Sequence, residues 1–231
     1  MKIPALFGVL FLLLLVVSII YFVRSRTLTG SIDENLDDEE IQVRLRTEIY
    51  AGFMSWDDIR EVCQDMAKDL QFQDIIPEAQ VESKALAMQK WAWKTWEQKG
   101  AEERGWAPVT DCDRLDDSFE KLTDQGILSL HNAGYTMSDG HQEVLEEVDD
   151  RPQDKFRGYC FYHGQDVERA MTDGVLYLAF GDLAEDGDES LDLEVGKLIV
   201  NELSEAGFET VWDGTKQERV SVKLDYKRRS P

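Results

Sequence analysis

The 231-residue chain contains no P-loop, no G-x-S-x-G elbow, no glycine-rich dinucleotide turn and no HExxH helix. Templates for phosphate cradling, serine nucleophiles, nicotinamide binding and zinc peptidases therefore lack the residues their chemistry requires. Basic residues are also scarce: 25 Lys and Arg stand against 47 Asp and Glu, a formal charge of −22. That balance argues against nucleic acid as a partner, where Lys and Arg must neutralise phosphates. It keeps the chain off anionic lipid beyond its first few residues. Cysteine is rare. Cys63, Cys112 and Cys160 are odd in number, without CxxC or zinc-finger spacing, and read as reduced structural thiols. No repeat of roughly 20 to 50 residues is visible.

One long apolar run is present, "IPALFGVLFLLLLVVSIIYFV" from Ile3 to Val23, bounded by Lys2 and by Arg24 and Arg26. A helix rises about 1.5 Å per residue, so about 20 residues cross a hydrocarbon core of about 30 Å. The following "RSRTLTGS" carries no A-x-A cleavage pattern and no lipid-attachment cysteine. The run predicts an uncleaved single-pass anchor, residues 1–26, that makes the membrane a partner through residues 3–23. Tyr21 suits its interfacial end. The positive-inside comparison is nearly balanced, and the reduced cysteines tilt the rest of the chain to the cytoplasmic side, with the exported side as the alternative.

Residues 27–40 read as a solvated acidic tether, residues 41–110 as a helical region and 111–231 as an α+β domain, with 41–231 forming one globular unit. "SWDD" at Ser55–Asp58 offers an N-cap with an acid three residues on, opening a helix to about Phe72 whose stripe is Ile59, Val62, Cys63, Met66 and Leu70. A second helix runs from about Glu78 to Glu103. There Leu86, Trp93 and Trp96 share a face, while Trp91 lies off it beside Met88, either packed on another element or marking a partner surface.

From Asp111 onward, short β-rich runs alternate with amphipathic helices, which predicts a mixed sheet flanked by helices. A ferredoxin-like core plus one strand is the first choice of topology and an alternating α/β sheet the second. The choice bears on function. In the alternating sheet the loops after the first two strands emerge on one edge; in the ferredoxin-like core they lie at opposite ends. "GFETVWDGTKQERVSVKL" reads as a hairpin, and the closing "YKRRSP" as a solvated basic terminus, the alternative being contact with an acidic partner.

Two polar turns hold the candidate site residues. In "HNAGYTMSDG", Gly134 suits positive φ, and Thr136 with Asp139 makes a capping pattern. The functional reading is that His131, Asn132, Tyr135 and Asp139 converge near a helix N-terminus, with His131 and Asp139 as acid/base candidates. In "YHGQD", His163 and Asp166 form a second such pair beside Gln165. Zinc is not expected, since Cys160 and His163 should face opposite sides of a strand, and "TDCDRLDD" lacks EF-hand spacing. No metal or other cofactor is called for.

In order, "TDCDRLDDSFEKL", "NAGYTMSDG", "GYCFYHGQDVERA", "LYLAFGD", "VGKLIVNELSEAGFETVWDG" and the final basic stretch resemble the bacterial family DUF6891 over roughly Ile49 to Arg229. The resemblance implies a shared domain, a bacterial source and no particular activity. Members often carry cysteines where this chain reads "NAGYTMSDG" and commonly lack an anchor, which implies that no metal or redox centre is obligatory at that turn and supports the cytoplasmic orientation. The expectation is a membrane-anchored, non-enzymatic protein-binding or regulatory domain. The alternative is an enzyme or small-molecule binder using the two polar turns. For the binding reading, the face of Trp91 is the candidate surface.

Overall fold

The computed structural model describes residues 38–149, 155–183 and 189–231. The first three helices form a layer of their own. Asp38 caps α1 (Glu39–Ala51) by accepting from the Ile41 N–H, and Gly52, at φ +77°, ends it. Ser55 opens α2 (Trp56–Phe72) with a capping box: its Oγ accepts from the Asp58 N–H, whose carboxylate accepts from the Ser55 N–H at 2.8 Å. A short 3-10 turn, Glu78–Gln80, leads into α3 (Val81–Glu103). Ile41, Leu45 and Ile49 of α1, Ile59, Cys63 and Met66 of α2, and Ala85, Met88 and Ala92 of α3 are all buried, at the three- and four-residue spacing that places them on single faces.

The second layer begins with α4 (Asp111–Asp124), opened by a Thr110–Asp113 capping box. There follow β1 (Ile127–Leu130), α5 (Met137–Asp149), β2 (Gly158–Phe161), α6 (Gly164–Asp173), β3 (Val175–Asp182), α7 (Glu189–Glu205), β4 (Glu209–Val211) and β5 (Val220–Lys223). Helices α4 and α7 cover one sheet face, where Leu115, Phe119, Ile199 and Leu203 meet Ile127, Cys160, Leu178 and Val220. Full burial of a side chain such as Phe119 is worth about 1.5–3 kcal/mol against exposure. Helix α5 lies on the other face, with Val144 against Leu128, Phe161 and Ala179. It crosses Phe161 at Gly140, where a Cβ would overlap the ring.

Two corrections to the expected architecture follow. The sheet order is β1-β2-β3-β5-β4, with β1 and β2 parallel and every other pair antiparallel. This is not a ferredoxin-like core, because the connection through α5 returns the chain to its starting edge and makes β2 a parallel neighbour of β1. Nor is it an alternating α/β sheet, since β3 reverses after the short α6. The class is α+β with a mixed sheet and seven α-helices among the described residues. The expected N-terminal transmembrane helix is not part of that architecture either: no helix among the described residues is long and apolar enough to cross a membrane. The run 3–23 itself lies outside them.

The C-terminal residues also depart from expectation. The basic stretch meets acids of the same chain instead of solvent. The Asp225 N–H donates to Asp111, Arg228 makes a fork to Asp116 with bonds of 2.9 and 2.5 Å, and Arg229 donates to Asp113 at 2.8 Å. Tyr226 donates to the Ala51 carbonyl, and Ser230 to Glu103. Lys99, wholly buried on α3, places Nζ 2.9 Å from Ser230 Oγ and 3.3 Å from Glu103. The acids at the start of α4 are the partner that this basic segment requires. It forms a strap joining α1, α3 and α4.

Candidate functional site

Because β1 and β2 run parallel, the two polar turns leave the sheet on one edge, and they are zipped together. The Ala133 N–H donates to the Tyr162 carbonyl, Gly164 N–H to Gly134, and Gln165 N–H to Tyr135, at 2.8, 2.9 and 3.2 Å. Asn132 and Gly134 take positive φ, 49° and 56°, so the chain turns sharply enough to keep this register. Thr136 and Asp139 cap α5: the Asp139 carboxylate accepts from the Thr136 N–H at 2.8 Å and from the Tyr135 N–H at 3.2 Å. The Tyr135 hydroxyl donates to Glu168 at 3.0 Å. Burial, with the Glu168 charge beside it, pushes that hydroxyl up to about 12.

His131 does not meet Asp139. Its ring stacks on Phe119 with centroids 4.4 Å apart, Nδ1 lies 2.9 Å from the buried Tyr162 hydroxyl, and Nε2 lies 3.5 Å from Asp116. Burial lowers its pKa to about 4; Asp116 opposes that shift and Arg228 adds to it. The imidazole is therefore neutral around pH 7, and it sits beneath the strap.

His163 and Asp166 do pair, with Nε2 3.1 Å from Oδ2. Asp166 has no exposed surface and also accepts from Arg169 and Arg219, each at 2.9 Å. Burial lowers the His163 pKa, with Asp166 opposing and the two arginines contributing. The group is a buried ion cluster. It ties α6 to the residue preceding β5; Asp166 and His163 are buried, while Arg169 and Arg219 keep part of their side chains in solvent. Among the described residues no set of three or more His, Cys, Asp or Glu could hold a metal ion.

The other candidate region is the outward face of α3. Trp91 is half-buried, with the Arg46 guanidinium 5.9 Å from its ring centroid, so it closes the contact between α1 and α3. The exposed indole is two residues on. Trp93 is 42% exposed and Leu86 49%, and together with Gln89, Lys90, Lys94 and Glu97 they line a shallow open hollow of about 480 Å³. Trp56 of α2 braces the ring of Trp93 edge-on at 4.8 Å and touches Trp96 at 6.0 Å. Among the described residues no ion pair engages Lys90 or Lys94.

Sequence spacing already placed Leu86, Trp93 and Trp96 on one face and left Trp91 either packed on another element or marking a partner surface; Trp91 packs against Arg46 of α1. Lys90, Lys94 and Glu97 were overlooked, though their spacing puts them around Trp93. Asp116, Tyr162 and Arg228, the partners of His131, gave no signal, because they are remote in sequence.

No curated protein matches this chain, and no solved structure does. A family model described as "Domain of unknown function (DUF6891)" matches residues 34–230, so the chain belongs to that family.

Proposed function

We propose that the domain acts by binding another protein through the outward face of α3, and that it is not an enzyme. The observation that carries this reading is the exposure of Trp93 and Leu86 between two lysines that make no ion pair among the described residues. Indoles held rigidly by neighbours are favoured anchors of protein interfaces, and isolated apolar exposure needs no such explanation, but here the two side chains line one hollow. Every imidazole and carboxylate that made the polar turns attractive for catalysis has a role in holding the fold: Asp139 caps a helix, His131 fills the space under Arg228, and His163 and Asp166 form a buried ion pair.

A photo-crosslinking residue at position 94 tests the reading in cells. A discrete protein adduct is expected there, and none from the same residue at Glu61 on α2. Absence of any adduct at position 94 would sink the proposal.

A further inference from the structure

We infer that the protein bound by α3 is a second copy of this chain, docked antiparallel across Trp93; this deepens the binding reading above and rests on it. The face is self-complementary. Residues on a helix advance about 1.5 Å and about 100° each, so positions seven apart nearly eclipse. Leu86, Trp93 and Gly100 follow that spacing, and so do Lys90 and Glu97 on one flank.

A two-fold axis set midway between Trp93 and Lys94 carries Lys90 onto the second copy's Glu97, and Glu97 onto its Lys90. The same operation lays Leu86 over the second copy's Gly100 and Ala101. Isologous contacts have this property, that one patch supplies both sides. Trp93, close to the axis, meets its own counterpart, an arrangement that suits stacking.

Gly100 supplies an independent observation. It lies in the last turn of α3, which ends at Glu103. A Cβ built there would meet nothing within 4 Å in the chain itself. No neighbour in the described structure requires the glycine. The open space leaves room for a helix approaching from outside and bearing Leu86.

Charge favours a second copy over an acidic foreign segment. A wholly acidic segment would set a like charge against Glu97, whereas self-docking matches Lys90 with Glu97 twice. Lys94 lies farther round the helix, on the solvent side of that seam, and near the axis it approaches the second copy's Lys94.

The test is sedimentation of the full chain in a mild non-ionic detergent over a range of concentrations. The native protein is expected to dimerise reversibly. Lys90→Glu should weaken dimerisation by at least about tenfold, as should Glu97→Lys, because each turns two attractions into two repulsions. The double variant carrying both changes should recover it. Lys94→Glu should leave dimerisation intact or strengthen it, since it removes a like-charge approach.

Failure of the double variant to recover, or a Lys94→Glu variant as weak as Lys90→Glu, overturns the self-docking geometry. So does a native chain that is monomeric at every concentration. If crosslinking at position 94 then yields an adduct heavier or lighter than two copies, the binding face stands and its partner is a different protein. If it yields none, both fail.

Discussion

The polar turns after β1 and β2 and the outward face of α3 present opposite balances between unusual sequence and available chemistry. The turns gather histidine, aspartate, tyrosine and glycine, and the fold engages nearly all of them: three backbone bonds hold one turn to the other, a cap fixes α5, and a buried ion cluster fixes α6. The α3 face is built of ordinary helical residues around its tryptophans, yet among the described residues it leaves an indole and a leucine exposed and two lysines without ion pairs. Unusual residues are thus a poor guide to function until their partners are known. What a fold leaves unpaired is the better guide.

The comparison can be broken most sharply at Asp166. Replacing it with alanine leaves Arg219, Arg169 and His163 without their common acceptor, and a loss of about 3–5 kcal/mol in denaturant-derived stability is expected, as for removing one side of a buried ion pair. A loss within experimental error would show that the turns are not held as described. Arg228→Met comes next, at about 2–3 kcal/mol, because Asp116 is partly exposed and can regain water. The same measurement checks it.

The histidine beneath the strap gives a smaller effect that depends on pH. Its folded pKa, about 4, is below the ordinary 6.5, so between those values the unfolded chain holds a proton that the folded chain excludes. Stability therefore falls as pH drops from about 6.5 toward 4, with a limiting slope of about 1.4 kcal/mol per pH unit for one whole proton. The lowered His163 adds to this with the same sign. His131→Phe is expected to flatten the slope measured by urea titration across that range; an unchanged slope would mean that His131 is protonated in the folded protein. The smallest effect on stability belongs to the other region. Trp93→Ala should cost less than about 1 kcal/mol, since the ring already faces water, while removing association through α3.

Local rules made most of the elements legible. The Ser55–Asp58 and Thr136–Asp139 spacings placed helix starts correctly because a cap depends only on residues three apart. The stripe Ile59, Cys63 and Met66 is buried as its period required, and β4 and β5 pair antiparallel around Asp213–Gly214. The order of strands was not legible, since the alternation of runs is the same whether β2 lies parallel to β1 or not. The surroundings of His131 were equally hidden. They include Asp116 and Arg228, which lie fifteen residues before His131 and near the far end of the chain.

The strap that crosses from β5 to Glu103 also governs how the molecule comes apart. It fastens the three-helix layer to α4 through Ala51, Glu103, Asp113 and Asp116. Neither layer can open alone without breaking these bonds and uncovering Lys99. Local excursions of α1 or α3 are thereby raised toward the energy of global unfolding, and the two layers form one foldon. Amide hydrogens along α1, α3 and α4 would then exchange through a shared opening, at converging rates, where a helical hairpin resting loosely on a sheet would lose its protection first.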